Sequence, residues 1–99
     1  MKLAREWFGV RVSNITPEIA KQLSLTKTDG LVIVGVEPNS VGQRAGLKPG
    51  DIILEVNRQK VFNEGDYRSI MEKTKPDQGV LFLIDREGST FFVALTEEK

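Results

Sequence analysis

Runs of apolar residues along the chain predict its strands. Residues 8–12 alternate between apolar and polar positions, which predicts a strand with one buried face. Residues 31–36 are nearly all apolar and β-branched, as in a strand that is buried on both faces. Residues 52–56 form a third run, and residues 80–84 and 91–95 predict a closing β-hairpin.

Short helices are expected between these strands, because capping residues precede apolar stripes. Thr16, followed by a proline, predicts the start of a helix over residues 17–23. A second helix begins near residue 38 and ends at Gly46, which can adopt the left-handed conformation beyond a helix end. Asn63 can cap a third helix of about three turns, with Asp66 three residues later. The predicted fold class is α+β, with five or six short antiparallel strands and two or three helices.

The length of 99 residues fits a single domain. We expect this domain to occupy residues 1–99, with an ordered core over residues 5–96. No stretch approaches the length of a membrane span, and the N-terminus has no long apolar segment of the kind found in signal peptides. A signal for export would therefore lie outside this segment.

Charge and composition argue against nucleic-acid binding and catalysis. The chain has 14 basic residues (lysine plus arginine) and 14 acidic residues (aspartate plus glutamate), so its formal net charge is zero. Nucleic-acid binders, in contrast, usually carry an excess of basic residues. Histidine and cysteine are absent, which removes the Ser-His-Asp and Cys-His arrangements and the commonest metal ligands. A Ser-Lys pair using Ser13 or Ser69 remains formally open, but surface hydroxyls explain these serines better. We expect no cofactor, no metal and no enzyme activity.

The stretch over residues 7–10 is the candidate functional site. Gly9 lies between apolar residues where a loop becomes a strand, so the turn can aim the N–H groups of Phe8, Gly9 and Val10 into one concavity. Converging N–H donors suit a terminal carboxylate, and the strand that follows can receive an extended peptide along its edge. The alternative is that Trp7 and Phe8 are core residues and that Gly9 forms a simple bulge.

Two motifs resemble those of PDZ domains, and the resemblance extends along nearly the whole chain. Residues 7–10, Trp-Phe-Gly-Val, are similar to the carboxylate-binding loop of that family. Residues 38–53 are similar to its signature, in which a short helix leads to Ala45-Gly46-Leu47 and then to Gly50-Asp51. The resemblance implies a PDZ fold, a small antiparallel β-barrel or sandwich. Because the loop opens the domain and a strand closes it, the order of elements resembles the circularly permuted bacterial form.

The chain resembles the PDZ domains of HtrA/Deg (Do-type) serine proteases, most of all the second, C-terminal one. The features that carry this resemblance are the order of elements, the helix over residues 17–23 and the closing hairpin. This resemblance implies a parent chain with a trypsin-like protease domain, located in the periplasm and acting in protein quality control. It implies partners of two kinds: the C-termini of unfolded protein substrates, and the protease and PDZ domains of the parent oligomer.

The resemblance also implies roles for individual residues. Trp7, Phe8, Gly9 and Val10 would form the carboxylate-binding loop, with Phe8, Val10 and Ile70 lining the pocket for the last side chain of the ligand. Further along the groove the resemblance places three residues: Val12, Asp66 and, at the rim, Arg11. Tyr67 and Met71 fall off the groove face and are expected in the core.

A rival hypothesis is a regulatory or oligomer-assembly module whose groove is closed. Trp7 stands where many family members carry a small residue, so its ring would cover the pocket or shape it. Phe8 would fill a pocket that the family leaves open. Phe91 and Phe92 point to opposite faces of the last strand, so one of them is expected to be exposed as a contact for another domain.

Overall fold

The computed structural model describes residues 7–26, 29–74 and 78–96. The six strands in that part of the chain are β1 (Val10–Asn14), β2 (Leu31–Val36), β3 (Ile52–Val56), β4 (Gln59–Lys60), β5 (Val80–Arg86) and β6 (Ser89–Leu95). The α-helices are α1 (Pro17–Gln22), α2 (Val41–Arg44) and α3 (Glu64–Lys73). The α+β fold class predicted from the sequence is confirmed.

The strands form one antiparallel sheet in the order β1-β2-β3-β5-β6. The short strand β4 pairs with the second half of β3, beyond the point where β2 stops pairing. Among the described strands the sheet does not close on itself, so β1 and β6 lie at its two ends. Each of these strands therefore has one edge that no described strand covers.

The first strand and the closing hairpin have boundaries that differ from the sequence prediction. The first strand begins at Val10 rather than at residue 8, because Trp7–Gly9 forms a 3-10 turn instead. The closing hairpin is tighter than predicted: β5 extends to Arg86, and only Glu87 and Gly88 separate it from β6. Both of these turn residues have positive φ, 53° and 90°, which defines the type I′ turn that matches the natural twist of paired strands.

Strand β2 is not buried along its whole length. Arg11 pairs with Gly35 and Val12 with Ile33, so Val34 has no partner on β1 and forms a β-bulge. The bulge turns the side chain of Val34 outwards, where 37% of it is exposed. The prediction of a strand buried on both faces is wrong at this position.

Side chains cap the N-termini of all three helices. Helices α1 and α3 start where the sequence predicted, and α2 starts within one turn of its predicted start. Thr16 accepts a hydrogen bond from the Ile19 N–H at 3.1 Å, and Asn63 accepts one from Asp66 at 2.9 Å. Helix α2 starts later than predicted, because its cap is Ser40. Gly46 has a φ of 94°, as expected for the residue beyond a helix end.

The main core lies between the sheet, the 3-10 turn and α3. Its largest fully buried members include Phe8, Phe82, Ile33 and Met71, each contributing roughly 1.5–3 kcal/mol by burial. A second, smaller cluster forms where α1 covers β2 and β3. Tyr67 and Met71 are buried, which confirms their predicted place in the core.

A partly buried ion pair links the closing hairpin to the turn before β3. The carboxylate of Asp51, 2% exposed, accepts hydrogen bonds from Arg86 Nε at 2.8 Å and Nη2 at 2.7 Å. Asp51 also accepts the Lys48 N–H at 3.0 Å, and Arg86 donates to the Gly46 carbonyl at 2.8 Å. The hydrogen bond to Asp51 raises the pKa of Arg86. The sequence analysis named Asp51 only as part of the PDZ-like signature and did not predict this pair.

Candidate functional site

The turn before β1 has consecutive residues in the left-handed region. Phe8 has φ 61° and ψ 17°, and Gly9 has φ 75°. A left-handed conformation is uncommon for a non-glycine residue, and for a bulky one it costs of order 1–3 kcal/mol. Turns of this kind can present successive backbone N–H groups to one side, as in anion-binding nests.

Gly9 is required for steric reasons as well as for its φ. A Cβ at this position would lie 2.4 Å from the Cβ of Ser40 and 2.8 Å from its Oγ. The Gly9 carbonyl accepts the Glu37 N–H at 2.8 Å, and the Ser40 hydroxyl donates to the Glu37 carbonyl at 2.7 Å. The turn is therefore held against the segment that joins β2 to α2.

The orientation of the Val10 N–H follows from the same hydrogen bond. The Gly9 carbonyl points towards β2, since it bonds to Glu37. In a trans peptide the N–H of the next residue points in the opposite direction, and the described chain has no cis peptide bond. The N–H of Val10 therefore points away from β2, towards the open edge of the sheet.

The side chains of this turn lie in the core. Trp7 is 6% exposed and meets Tyr67 of α3 edge-on, with ring centroids 5.7 Å apart. Phe8 is 2% exposed and meets Phe82 edge-on at 6.4 Å, and Val10 is 2% exposed. The alternative hypothesis, in which Trp7 and Phe8 are core residues, is thus correct for these two side chains. Gly9, however, belongs to a left-handed turn and not to a simple bulge. The roles predicted for these residues at a ligand carboxylate remain predictions.

Helix α3 lies beside β1 and contributes one wall next to its open edge. Val12 on β1 and Ile70 on α3 are half-buried and pack against the main core. At the far end of β1, the Asn14 side-chain carbonyl accepts the Glu64 N–H at 2.7 Å and joins the strand to the start of the helix. The sequence analysis missed this link, because an asparagine at a strand end carries no distinctive signal.

Arg11 and Asp66, the polar residues predicted at the groove, already have intramolecular partners. Arg11 is exposed and forms an ion pair with Glu37 at 3.2 Å. Asp66 accepts the Phe62 N–H at 2.9 Å and donates its own N–H to Asn63, so it belongs to the cap of α3. These two side chains are therefore already bonded to other residues of the domain.

The phenol of Tyr67 is the one described buried side-chain group with no hydrogen-bond partner. Its ring lies between Trp7 and Phe82, at 5.7 and 6.1 Å between centroids. Burial raises the pKa of Tyr67 well above its usual range, because the phenolate would lose its hydration. The group stays neutral at physiological pH and adds no charge to the site.

Over residues 7–26, 29–74 and 78–96, no group of acidic side chains is placed to hold a metal ion. In the same part of the chain, no helix has the length and apolar character needed to cross a membrane.

Comparison with known proteins identifies the family. The profile of the PDZ domain matches residues 32–86. Among solved structures, the HtrA3 PDZ domain bound to a phage-derived ligand gives a TM-score of 0.75 at 24% identity, over 95% of this chain and 86% of that one. The HtrA-type protease AlgW with a decapeptide gives a TM-score of 0.77 at 34% identity, over 93% of this chain and 28% of that one. The chain belongs to the PDZ domain family.

Its curated relatives are periplasmic proteases. It is 39% identical over 92 residues to the probable periplasmic serine endoprotease DegP-like of Chlamydia pneumoniae, covering 92% of this chain and 19% of the relative. It is 35% identical over 97 residues to the protein of the same description from Marinomonas sp., covering 98% of this chain and 21% of the relative. The chain thus spans about a fifth of the length of these relatives. The similarity to HtrA/Deg-type proteases inferred from the sequence is confirmed. The non-catalytic nature of this domain is confirmed as well, because the PDZ domain is a module separate from the protease domain.

Proposed function

We propose that this domain captures the free C-terminus of another polypeptide by adding it as a strand to the open edge of β1. The observation that carries the proposal is the left-handed turn at Phe8 and Gly9, which leads directly into an edge strand beside α3. Strand addition supplies affinity through backbone hydrogen bonds, and it needs an edge of this kind.

In this mode the ligand carboxylate lies against the turn. The N–H groups of Phe8, Gly9 and Val10 donate to it, and the N–H of Val10 has the required direction, away from β2. Hydrogen bonds from N–H groups to a charged acceptor are stronger than neutral ones. A peptide with an amidated C-terminus offers no such charge and would lose this interaction.

The apolar side chains beside the edge set the preference for the last residue of the ligand. Val12 and Ile70 keep part of their surface exposed, whereas Phe8 and Val10 are almost wholly buried. The pocket is therefore shallow and suits a small apolar residue. Affinity is weak to moderate, because a short peptide loses conformational entropy on binding.

The similarity to AlgW, whose structure was solved with a decapeptide, supports the peptide-binding role at 34% identity. By the same similarity, we propose that the domain belongs to an HtrA-type serine endoprotease of the periplasm and presents unfolded substrates to a protease domain. Other domains of that parent chain, and of its copies in an oligomer, are then its further partners. Several weak sites in one oligomer would act together through high local concentration.

The rival function is a regulatory or assembly module with an occluded groove. One observation favours it: the rings of Trp7 and Phe8 are buried in contact with Tyr67 and Phe82, so they offer almost no surface to a ligand. Under this hypothesis the turn is a structural feature, and the edge of β1 receives no peptide.

An amide NMR titration distinguishes the two functions. Short peptides with free, apolar C-termini are added, with amidated versions of the same peptides as controls. Capture predicts shifts at Phe8, Gly9, Val10, Val12 and Ile70 that disappear with the amidated peptides. The absence of shifts at millimolar peptide would reject capture and leave the occluded module.

A pair of variants on α3 tests the location of the site. Ile70→Lys places a charge beside the edge of β1 and is expected to abolish the peptide-induced shifts. Ser69→Lys adds the same charge at the neighbouring exposed position and should preserve them. Equal binding by both variants would place the ligand elsewhere on the domain.

A further inference from the structure

The second open edge of the sheet, along β6, has no assigned role. Strand β6 spans the seven residues Ser89–Leu95 and pairs with β5 on one side. Among the described elements, only β5 packs along it at length. An exposed strand edge is a template for pairing with another strand, and natural proteins usually protect it with charged residues, prolines or a covering element.

The hairpin geometry shows which residues of β6 face this edge. In a two-residue hairpin the pair that flanks the turn, Arg86 and Ser89, exchanges hydrogen bonds, and the pattern alternates along the strands. The backbone groups of Thr90, Phe92 and Ala94 therefore point away from β5. Their side chains are exposed as well, and 52% of Phe92 is accessible.

The sequence of β6 lacks the usual protection. Its residues, Ser-Thr-Phe-Phe-Val-Ala-Leu, include no charge, no proline and no glycine. The formal net charge of the whole chain is zero, so two copies do not repel each other through a net charge. The Arg58 guanidinium lies 5.8 Å from the ring centroid of Phe92, which places a cation beside the strand rather than on it.

We propose that β6 pairs with β6 of a second copy of this chain in an antiparallel, two-fold symmetric dimer. Phe92 is the middle residue of the strand, so a pairing centred on it places Phe92 opposite its own counterpart. The same register places Thr90 opposite Ala94 and Phe91 opposite Val93. All the outward backbone groups of the strand are then paired, and β6 itself brings no charged side chain to the interface.

This dimer is independent of peptide capture. The β1 edge lies at the other end of the sheet, so both copies keep that edge free. The joined sheet runs continuously from β1 of one copy to β1 of the other. Loss of the dimer and loss of peptide binding can therefore be measured separately, and either result is informative without the other.

Charge substitutions at the centre of the interface provide the first test. Sedimentation equilibrium of the 99-residue chain is expected to show a monomer–dimer equilibrium. Phe92→Lys or Phe92→Glu alone weakens self-association by about tenfold or more, since like charges then face each other across the two-fold axis. An equimolar mixture of the two variants restores a heterodimer. Phe62→Lys, which replaces an exposed phenylalanine outside β6, leaves the dimer unchanged.

Cysteine cross-linking tests the register, and the native chain has no cysteine to interfere. In the proposed pairing the two copies of residue 92 have Cα atoms about 5.5 Å apart, within the range of a disulfide. The two copies of residue 90 are offset by four residues, about 14 Å. Phe92→Cys should therefore oxidise rapidly to a covalent dimer, and Thr90→Cys should not.

The proposal is overturned if the folded wild-type chain remains monomeric at millimolar concentration. It is also overturned if the dimer survives Phe92→Lys, or if Thr90→Cys links as fast as Phe92→Cys. An amide spectrum of Phe92→Lys that is as well dispersed as the wild-type spectrum would show that the variant is folded, whether or not the β1 edge binds peptide.

Discussion

The two free edges of the sheet use the same backbone chemistry, but their side chains are arranged in opposite ways. At β1, the residues with outward backbone groups, Val10 and Val12, turn their side chains towards the core and α3. At β6, the residues with outward backbone groups, such as Phe92, turn their side chains to solvent. The edge of β1 is therefore bordered by an apolar wall, and the edge of β6 is not.

This difference determines what each edge can receive. In the proposed mode of capture, helix α3 borders the ligand strand on β1, and the left-handed turn at Phe8 and Gly9 binds its carboxylate. Beside β6, no described element borders the edge at length except β5, and the proposed partner there is a strand of a second folded copy. The proposed peptide site at β1 therefore depends on the neighbouring helix and turn as well as on the open edge.

The largest effect that distinguishes the two edges is expected from Gly9→Ala. Gly9 has positive φ, and an added Cβ would lie 2.4 Å from Ser40 Cβ. We expect a loss of about 3 kcal/mol or more in the free energy of unfolding, and loss of any peptide binding at β1. Urea denaturation measures the first and the NMR titration the second.

Gly88→Ala is the matched control, because Gly88 also has positive φ but has nothing within 4 Å of an added Cβ. It should cost only about 1–2 kcal/mol, the price of the left-handed conformation for an L-residue. Equal losses for the two variants would mean that close packing around the β1 turn does not matter.

The second largest effect is expected at the β6 hairpin, from Arg86→Ala. This change leaves the buried Asp51 carboxylate with only the Lys48 N–H as a partner. We expect a loss of about 2 kcal/mol, less than for a fully buried pair because one-third of the Arg86 side chain is exposed.

Hydrogen exchange locates this effect. Amides of β5 and β6 should exchange faster in Arg86→Ala, while those of β1 change little. Arg86→Lys keeps the charge but loses the bidentate contact, so it should be intermediate. A uniform increase in exchange over the whole sheet would show that the pair stabilises the fold globally instead of the hairpin.

A smaller change in the free energy of unfolding, this time an increase, is expected from a substitution in α3, the helix beside β1. Tyr67→Phe removes a buried hydroxyl that has no partner among the described residues. The free energy of unfolding should rise by about 1 kcal/mol. A decrease of that size would indicate that the hydroxyl has a partner in solution, such as a bound water.

Tyr67→Phe also changes how the free energy of unfolding depends on pH in alkaline solution. Burial raises the pKa of Tyr67 in the folded state, whereas in the unfolded chain it titrates near about 10. Above that pH the unfolded chain has lost the proton and the folded chain has not, so stability falls as pH rises. Tyr67→Phe should lack this contribution, and absorbance titration of the only tyrosine checks the pKa directly.

The smallest effect is expected from Arg11→Ala on the rim of β1. The side chains of Arg11 and Glu37 are both about half exposed, and such pairs contribute roughly 0–1 kcal/mol. A double-mutant cycle with Glu37→Ala should give a coupling below about 0.5 kcal/mol that disappears at high salt. A larger coupling would give Arg11 a structural role at the edge.

Much of the fold could be predicted from the sequence because the signals are local. Thr16 and Asn63 cap helices with their own side chains, and Gly46 ends one through its own φ. The alternation of side chains along the last strand predicted that one of Phe91 and Phe92 would be exposed, and Phe92 is the exposed one. In each case the residue and its partner lie within a few positions of each other.

The features that escaped prediction depend on residues distant in the chain. Arg86 meets Asp51 across 35 positions, and Asn14 meets Glu64 across 50. The bulge at Val34 arises from register between β1 and β2, which no single strand specifies. Sequence patterns carry no information on such pairings.

The sequence by itself determined the class of the fold, the caps of α1 and α3 and a turn around Gly9, because short-range sterics and apolar periodicity act within a few residues. Only the tertiary structure decided that Trp7 and Phe8 are buried, that Asp66 serves the helix cap, and that β6 has an open edge. Those outcomes depend on which surfaces meet when distant segments pack together, and the free energy of that packing is shared among many residues.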